Sequence, residues 1–317
     1  MNLTRFIRSP ESFRVGQALA RRTLPLHWRT RFAPAPTGYM HLGHVVNALH
    51  VWGVARAFGG QVLLRIEDHD RTRCRPEFER ALMDDLDWLG FVADVAAPVN
   101  FSEPASPMRQ SDNLQRYAAA LRHLETRELV YGCICTRREI AEIAGDRFGE
   151  EFPYPGTCAN AHLEGAIARR FRVSAATERF DDIRLNVQAQ TPQQQCGDFL
   201  LRDRNGNFTY QCCAAVDDWD QNIDVIIRGE DLLSSTGRQL QLARVLGRKT
   251  PPQFLHHRLL LRADGLKLSK SLGDTGVREM RSAGLSRELV LGRAEFACGL
   301  IENDIAMDQH EITMLFS

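Results

Sequence analysis

The stretch RTRFAPAPTGYMHLGHVVNALHVWGVARAFGGQVLLRIED, residues 29–68, decides the fold. Arg29–Ala33 reads as a short strand that runs into Pro34-Ala35-Pro36-Thr37-Gly38, where two prolines and a glycine forbid regular structure. Leu42, Val45, Val46, Leu49 and Trp52 then recur at helical spacing, predicting an amphipathic helix to about Phe58, ended by Gly59-Gly60. Gln61–Ile66 is a compact apolar run of strand length, closed by Glu67-Asp68. Strand, turn, helix and strand make a βαβ unit. The expectation is an α/β fold with a Rossmann-like parallel sheet and a nucleotide site at the carboxyl ends of its strands.

Further along, helices are expected at Glu77–Leu89, Gln115–Glu128, Ser234–Leu246 and Ser286–Leu300. Asn222–Arg228 reads as a strand leading to Gly229-Glu230-Asp231, and Leu259–Leu261 as a short strand before a loop at Ala263–Leu272. Gln188–Cys196 reads as a polar loop. The 317 residues carry 40 Lys plus Arg against 40 Asp plus Glu, so any RNA-binding surface must be a local patch. No run of about 18 apolar residues exists, which excludes a helical membrane span. Residues 1–28 hold Arg5, Arg8, Arg14, Arg21 and Arg22 against one acid, Glu11, without the apolar core of a secretory signal. They read as a basic tail, with a transit peptide or an early start codon as alternatives, and the protein as a cytoplasmic monomer. The eight cysteines are too sparse for a disulfide scaffold.

Two elements carry phosphate chemistry. His41-Leu42-Gly43-His44 sits where the first strand hands over to the first helix, whose N-terminus offers N–H groups and a positive dipole end. Gly43 lets an adenine or ribose lie on the backbone, and the two histidines, three apart on one helical face, are placed to donate to phosphate oxygens. Lys267-Leu268-Ser269-Lys270-Ser271 forms a cationic clamp suited to pyrophosphate, although alone it would read as a solvated basic loop.

Together these segments resemble the HIGH and KMSKS signatures of class I aminoacyl-tRNA synthetases. Arg31-Phe32-Ala33-Pro34-Ala35-Pro36-Thr37-Gly38 with Arg65-Ile66-Glu67-Asp68 and Asp70 is similar to the glutamyl branch, RFAPSPTG…RIEDxD. The resemblance implies ATP with Mg2+, bound by His41, Gly43, His44, Ser269 and Lys270. His41 and His44 would steady phosphate, while Lys267 and Lys270 hold the leaving pyrophosphate. Phe32, Ala33, Pro34 and Ala35 would line the glutamate pocket. Arg31 would grip the substrate carboxylate and Glu67 its ammonium, with Tyr210 and Arg228 completing the site; a purely structural Arg31–Glu67 pair is the alternative. Ala35 stands where the family has serine, and Gln211 where it has asparagine, which puts the pocket's geometry in question.

Cys133-Ile134-Cys135 precedes Tyr154-Pro155-Gly156-Thr157-Cys158. Three thiolates need a fourth ligand to close a tetrahedral zinc site. The arrangement is similar to the Cys-x-Cys…Tyr-x-x-x-Cys site of glutamyl-Q tRNA(Asp) synthetases, which implies structural Zn2+ on Cys133, Cys135, Tyr154 and Cys158; degenerate cysteines are the alternative. Only residues 272–317 follow the KLSKS segment, too few for an anticodon-binding domain. The expected reaction is tRNA-independent glutamyl-adenylate formation, then transfer to the queuosine of tRNA(Asp). A truncated glutamyl-tRNA synthetase and a non-catalytic paralogue are the competing readings. Arg137, Arg138, Arg169 and Arg170 are candidate phosphate contacts. The organisation expected is a tail (1–28), a catalytic domain in two halves (29–130 and 191–255), an inserted zinc-containing, acceptor-type subdomain (131–190), and the KLSKS loop with C-terminal helices (256–317).

Overall fold

The computed structural model of the protein describes residues 6–96, 105–144, 153–163, 165–260 and 276–317. In the first half, α1 (Pro10–Ala20) precedes β1 (Arg29–Phe32), α2 (Leu42–Ala57), β2 (Gln61–Leu64), α3 (Pro76–Leu89) and β3 (Val95–Ala96). Helix α4 (Leu114–Glu125), β4 (Val130–Cys133) and α5 (Arg137–Ala144) follow. The second half holds β5 (Ala168–Phe171), β6 (Glu178–Asp182), β7 (Asn186–Gln190), α6 (Pro192–Gln195), β8 (Phe199–Arg202) and α7 (Tyr210–Asp220). It ends with β9 (Val225–Gly229), α8 (Thr236–Val245), β10 (Gln253–His257), α9 (Val277–Ser282), α10 (Arg287–Ala297) and α11 (Gln309–Phe316).

Strands β1, β2 and β3 are parallel, as are β9, β10 and β6, with β7 antiparallel at the far edge. The two groups meet where the Asp224 N–H donates to the Arg29 carbonyl at 2.9 Å, and the Asp224 carboxylate accepts from the Arg29 N–H. The carboxyl ends of β1 and β9 therefore face one crevice, the usual ligand position of an open α/β sheet. Helix α2 is buried nearly all round rather than amphipathic, with Val45, Leu49, Trp52 and Val54 in the core. At Gly53 a Cβ would collide with the Phe316 ring at 2.6 Å, so α11 packs directly on this helix.

Several expectations need correction. The strand expected at Leu259–Leu261 lies earlier, at Gln253–His257; residues 258–260 are irregular and Leu261 is outside the described residues. The glutamine-rich stretch is not a loop: β7 pairs with β6 through a turn at Asn186 (φ 63°), and α6 follows. Gln190 is buried, accepting from the Gly237 N–H and donating to the Leu233 carbonyl, both at 2.8 Å. The strand pairing also cuts across the 131–190 boundary. Strands β6 and β7 join the catalytic sheet, whereas β8, beyond residue 190, pairs with β5 in the antiparallel sheet β4-β5-β8. Within residues 1–28, Ser9 caps α1, Pro10 opens it, and Val15 and Leu19 enter the core. That part of the segment is a docked helix and not a tail.

Candidate active site

A cleft of about 420 Å3 opens at the junction of β1 and β9. It is lined by Arg31, Phe32, Ala33, Pro34, Ala35, His41, Gly43, His44, Glu67, Tyr210 and Arg228. The described residues expected from the sequence to bind ATP and glutamate therefore face one space, while the expected metal ligands lie elsewhere. Lys267, Ser269 and Lys270 lie outside the described residues. The chain on either side of them borders the cleft: Leu259 and Leu260 line it, and Gly276 bridges to His41.

The histidine pair differs from the expectation in detail. His41 is not on the helix but is its N-cap in extended backbone (φ −127°), and its Nδ1 accepts the Gly43 N–H at 3.0 Å. His44 closes the reciprocal half of the capping box, its Nδ1 accepting the His41 N–H at 3.2 Å. With Nδ1 of both rings used as an acceptor, the ring proton sits on Nε2, which makes Nε2 the donor of each ring. The ring centroids are 4.0 Å apart. A Cβ on Gly43 would lie 2.9 Å from the His41 ring, so glycine is required there by the cap itself.

Across the cleft, Arg31 and Glu67 do not pair with each other. Arg31 donates through Nε to Asp218 (3.0 Å) and through Nη1 to the Ile227 carbonyl (3.1 Å). Glu67 accepts from Arg65 Nη2 at 2.9 Å, and its N–H is fixed to the Pro34 carbonyl. Arg65, fully buried, also donates to Asp218 at 2.7 Å. Burial alone would raise the Asp218 pKa, but the guanidiniums of Arg31 and Arg65 hold it well below the usual carboxylate range. One carboxylate thus braces Arg31, which faces the cleft, and Arg65, which holds Glu67.

Arg228 has a different environment. It is 3% exposed, and its described partners are neutral: His256 Nε2 (3.1 Å), Gln239 Oε1 (2.8 Å), Thr236 Oγ1 (2.9 Å) and, more loosely, the Tyr210 hydroxyl (3.4 Å). His256 accepts this bond because its Nδ1 faces Asp182 at 2.6 Å, which places the ring proton there. Burial lowers the Arg228 pKa, and the nearby Arg31 charge acts in the same direction. A buried cation whose described hydrogen-bond partners are neutral, at the wall of a cleft, is matched to an anionic ligand. Gln211 belongs to the same network, accepting from Gln239 (2.9 Å) and donating to Ser235 (3.0 Å). The sequence reading missed Asp218, Arg65, His256 and Asp182. Consecutive acids in the apolar segment Cys212–Trp219 were the available signal for Asp218.

His257, on the same wall, stacks on His50 with centroids 4.5 Å apart. Burial pushes the His257 pKa down to about 4, and burial also lowers that of His50. A folded pKa below the unfolded value of about 6.5 means that the unfolded chain binds more protons between those limits. Stability is then complete above about pH 6.5 and lost as pH falls towards 4, by about 3 kcal/mol for His257. The His257→Gln variant is expected to show a shallower acid limb in denaturant midpoints. An unaltered limb would show that this ring does not set it.

The cysteine segment forms a second centre. The Tyr154 hydroxyl lies 3.6 Å from Cys133 Sγ and 3.4 Å from Cys135 Sγ, and Cys135 lies 3.4 Å from Cys158. The three sulfurs are within 4.8 Å of one another. A tetrahedral ion with 2.3 Å bonds to sulfur separates its ligand atoms by about 3.8 Å, so the donors fit such an ion. Burial opposes ionisation of Cys158, but the Ile134 N–H, the Tyr154 hydroxyl and the neighbouring thiols bring it down to about 7. Burial and the thiols raise the Tyr154 pKa, an effect that a bound cation would reverse. Arg170 is buried here, 3.6 Å over the Tyr154 ring, with Nε donating to Cys133 Sγ at 3.2 Å and Nη1 to the Asp198 carbonyl. It is therefore no phosphate contact. Its charge would offset that of thiolates holding a cation. Arg169 pairs with Glu125, and Arg138 with Glu142.

Fold and cleft together define the catalytic domain of a class I aminoacyl-tRNA synthetase. Residues 27–293 match the family described as tRNA synthetases class I (E and Q), catalytic domain, and the chain belongs to that family of ATP-dependent ligases. It is 39% identical over 284 residues to the glutamyl-Q tRNA(Asp) synthetase of Nitratidesulfovibrio vulgaris, covering 86% of this chain and 87% of that one. A protein of the same name from Cupriavidus metallidurans is 43% identical over 253 residues, 78% of each chain. Glutamate–tRNA ligase 2 of Syntrophus aciditrophicus is 39% identical over 83% of this chain and 56% of its own length. Among solved structures, a glutamate tRNA ligase from Elizabethkingia meningosepticum in complex with its amino acid superposes with a TM-score of 0.73 at 25% identity. That match covers 90% of this chain, which spans 64% of the length of the solved ligase. Among the described residues no helix is long and apolar enough to cross a membrane.

Proposed function

We propose that this enzyme activates glutamate with Mg·ATP, without RNA, and transfers the glutamyl group to the queuosine base in the anticodon of tRNA(Asp). The observation that carries the glutamate reading is Arg228, a buried cation with neutral described partners, facing a cleft that also holds Arg31 and Glu67. A substrate with two carboxylates and one ammonium complements two guanidiniums and one carboxylate. A carboxylate oxygen of glutamate attacks the α-phosphorus of ATP, and pyrophosphate leaves. His41 and His44 donate from Nε2 to the phosphate oxygens, while Lys267, Ser269 and Lys270 hold the pyrophosphate. No side chain is acylated, so catalysis is alignment and charge stabilisation. A hydroxyl of the queuosine cyclopentene diol then attacks the mixed anhydride and releases AMP. The queuosine reading is supported by relatives of that name that match along 78–92% of their own length, and by the Cys/Tyr cluster.

ATP–pyrophosphate exchange with glutamate and no RNA tests the first step, and silence with and without tRNA would favour a non-catalytic paralogue. For the second step, labelled glutamate is located on anticodon or acceptor fragments of queuosine-containing tRNA. Label on the 3′ adenosine would instead identify an enzyme charging tRNA(Glu). The protein is read as a cytoplasmic monomer.

Zinc is the proposed occupant of Cys133, Cys135, Tyr154 and Cys158, where it would staple β4 to the segment before β5. The Cys158→Ser variant is expected to retain no stoichiometric zinc by elemental analysis. Tyr154→Phe is expected to lose zinc to a chelator at a concentration roughly 10- to 100-fold lower than the wild type requires. Equal retention by both variants and wild type would rule out this ligand set.

A further inference from the structure

A second groove, of about 410 Å3, runs between α1 and the β6–β7 hairpin, on a helix that precedes the family match at residue 27. Arg14 and Arg21 lie on its helical wall, both exposed. Seven residues apart, they share one face of α1 at a separation of about 10 Å along the axis. Arg184, just after β6, and Arg258, just after β10, form the opposite side. Four guanidiniums therefore line the groove with one carboxylate, that of Glu11, while Glu230 pairs with Arg184 from outside the lining, in a chain whose overall charge is balanced. Glu11 orders the groove without neutralising it: its carboxylate holds Arg258 at 2.9 Å and reaches Arg184 at 3.7 Å. Arg184 is further fixed by donating to the His256 carbonyl and by pairing with Glu230. Arg258 also lines the catalytic cleft, so one side chain borders both the basic groove and the site of chemistry.

We propose that this groove is a second anion seat, which holds the sugar–phosphate backbone of the RNA whose acceptor group enters the cleft. The inference rests on the reading of the enzyme as an RNA-directed ligase. A concave surface concentrates the field of its charges, and guanidiniums present forked donors to phosphate oxygens. Arg14 and Arg21 are exposed about two helical turns apart on one wall, a spacing that suits an extended polyanion better than a single small anion. Arg258, shared by both linings, sets the groove beside the site of chemistry.

The test uses the full chain with Arg14→Gln and Arg21→Gln together, two exposed positions outside the cleft. Binding of bulk transfer RNA is measured between 50 and 200 mM salt. Two lost phosphate contacts are expected to flatten the log K against log salt slope by about 1.4 to 1.8, and to weaken binding at the low-salt end by at least tenfold. ATP–pyrophosphate exchange and the thermal melt should match wild type, and Arg14→Lys with Arg21→Lys should keep the slope. A doubly substituted protein with wild-type slope and affinity would overturn the inference. Absence of exchange in the unaltered enzyme would instead defeat the glutamate reading, and would leave the slope measurement standing.

Discussion

Asp218→Asn is expected to destabilise the enzyme by about 3–5 kcal/mol and to abolish measurable adenylate formation. Breaking a buried ion pair by removing one partner leaves an uncompensated charge in the interior, which is the origin of that magnitude. Here the one carboxylate serves two guanidiniums: Arg31 at 3.0 Å and Arg65 at 2.7 Å, the latter fully buried. Asparagine keeps the shape and one acceptor oxygen but not the charge, so Arg31 loses its described carboxylate partner while Arg65 keeps Glu67 and the more distant Asp217 (3.9 Å). The loss of activity follows from position, since Arg31 and Glu67 are both held through this network. A fall in melting temperature on the order of 10 °C corresponds to the stability change.

The pH dependence has a definite sign. Asp218 is held below its unfolded value of about 4 by the two arginines, so its contribution is complete above that pH and fades as pH falls further. The difference between wild type and variant should therefore be constant from pH 5 to 8 and narrow below about 4. Equal melting temperatures at pH 7 would show that the network does not hold the fold.

How much of this was legible in the sequence depended on how local the cause was. The βαβ unit and its turn sit in segments whose residue types and spacing are themselves the signal, whereas Arg31, Glu67, Tyr210 and Arg228 are legible through the resemblance to the glutamyl branch. Asp218 braces Arg31 from 187 positions away, and Asp182 sets the His256 tautomer across 74, so no window contains both partners. Strand β10 was placed too late because Gln253-Phe254-Leu255-His256-His257 ends in two histidines that read as polar. Both are buried, one on Asp182 and the other stacked on His50. Helix α1 was obscured differently. Its arginines suggested a tail, although Ser9-Pro10 followed by Val15 and Leu19 carried the cap and the apolar stripe. Gln190 reads as loop material until its amide is seen to bond α8 and the turn before it.

Arg228→Gln is expected to do the reverse of Asp218→Asn: activity falls steeply while stability stays within about 1 kcal/mol of wild type. Truncating one partner of a buried charge pair costs about 2–5 kcal/mol of binding, so kcat/KM for glutamate in the exchange reaction should drop by at least about 30-fold. In the protein alone no described hydrogen-bond partner of Arg228 carries that charge. The guanidinium bonds to His256, Gln239 and Thr236, all neutral, while burial and Arg31 disfavour its charged form and the more remote Asp218 offsets that only in part. Glutamine gives up some of those bonds, each worth about 1 kcal/mol, but removes a buried charge that costs at least as much to desolvate. The discriminating measurement is the rise in melting temperature on adding glutamate. Wild type should show it and Arg228→Gln should not, although the two proteins melt together without ligand. If the variant instead melted well below wild type before any glutamate was added, Arg228 would be a brace of the fold, and the anionic pocket would have to be sought elsewhere in the cleft.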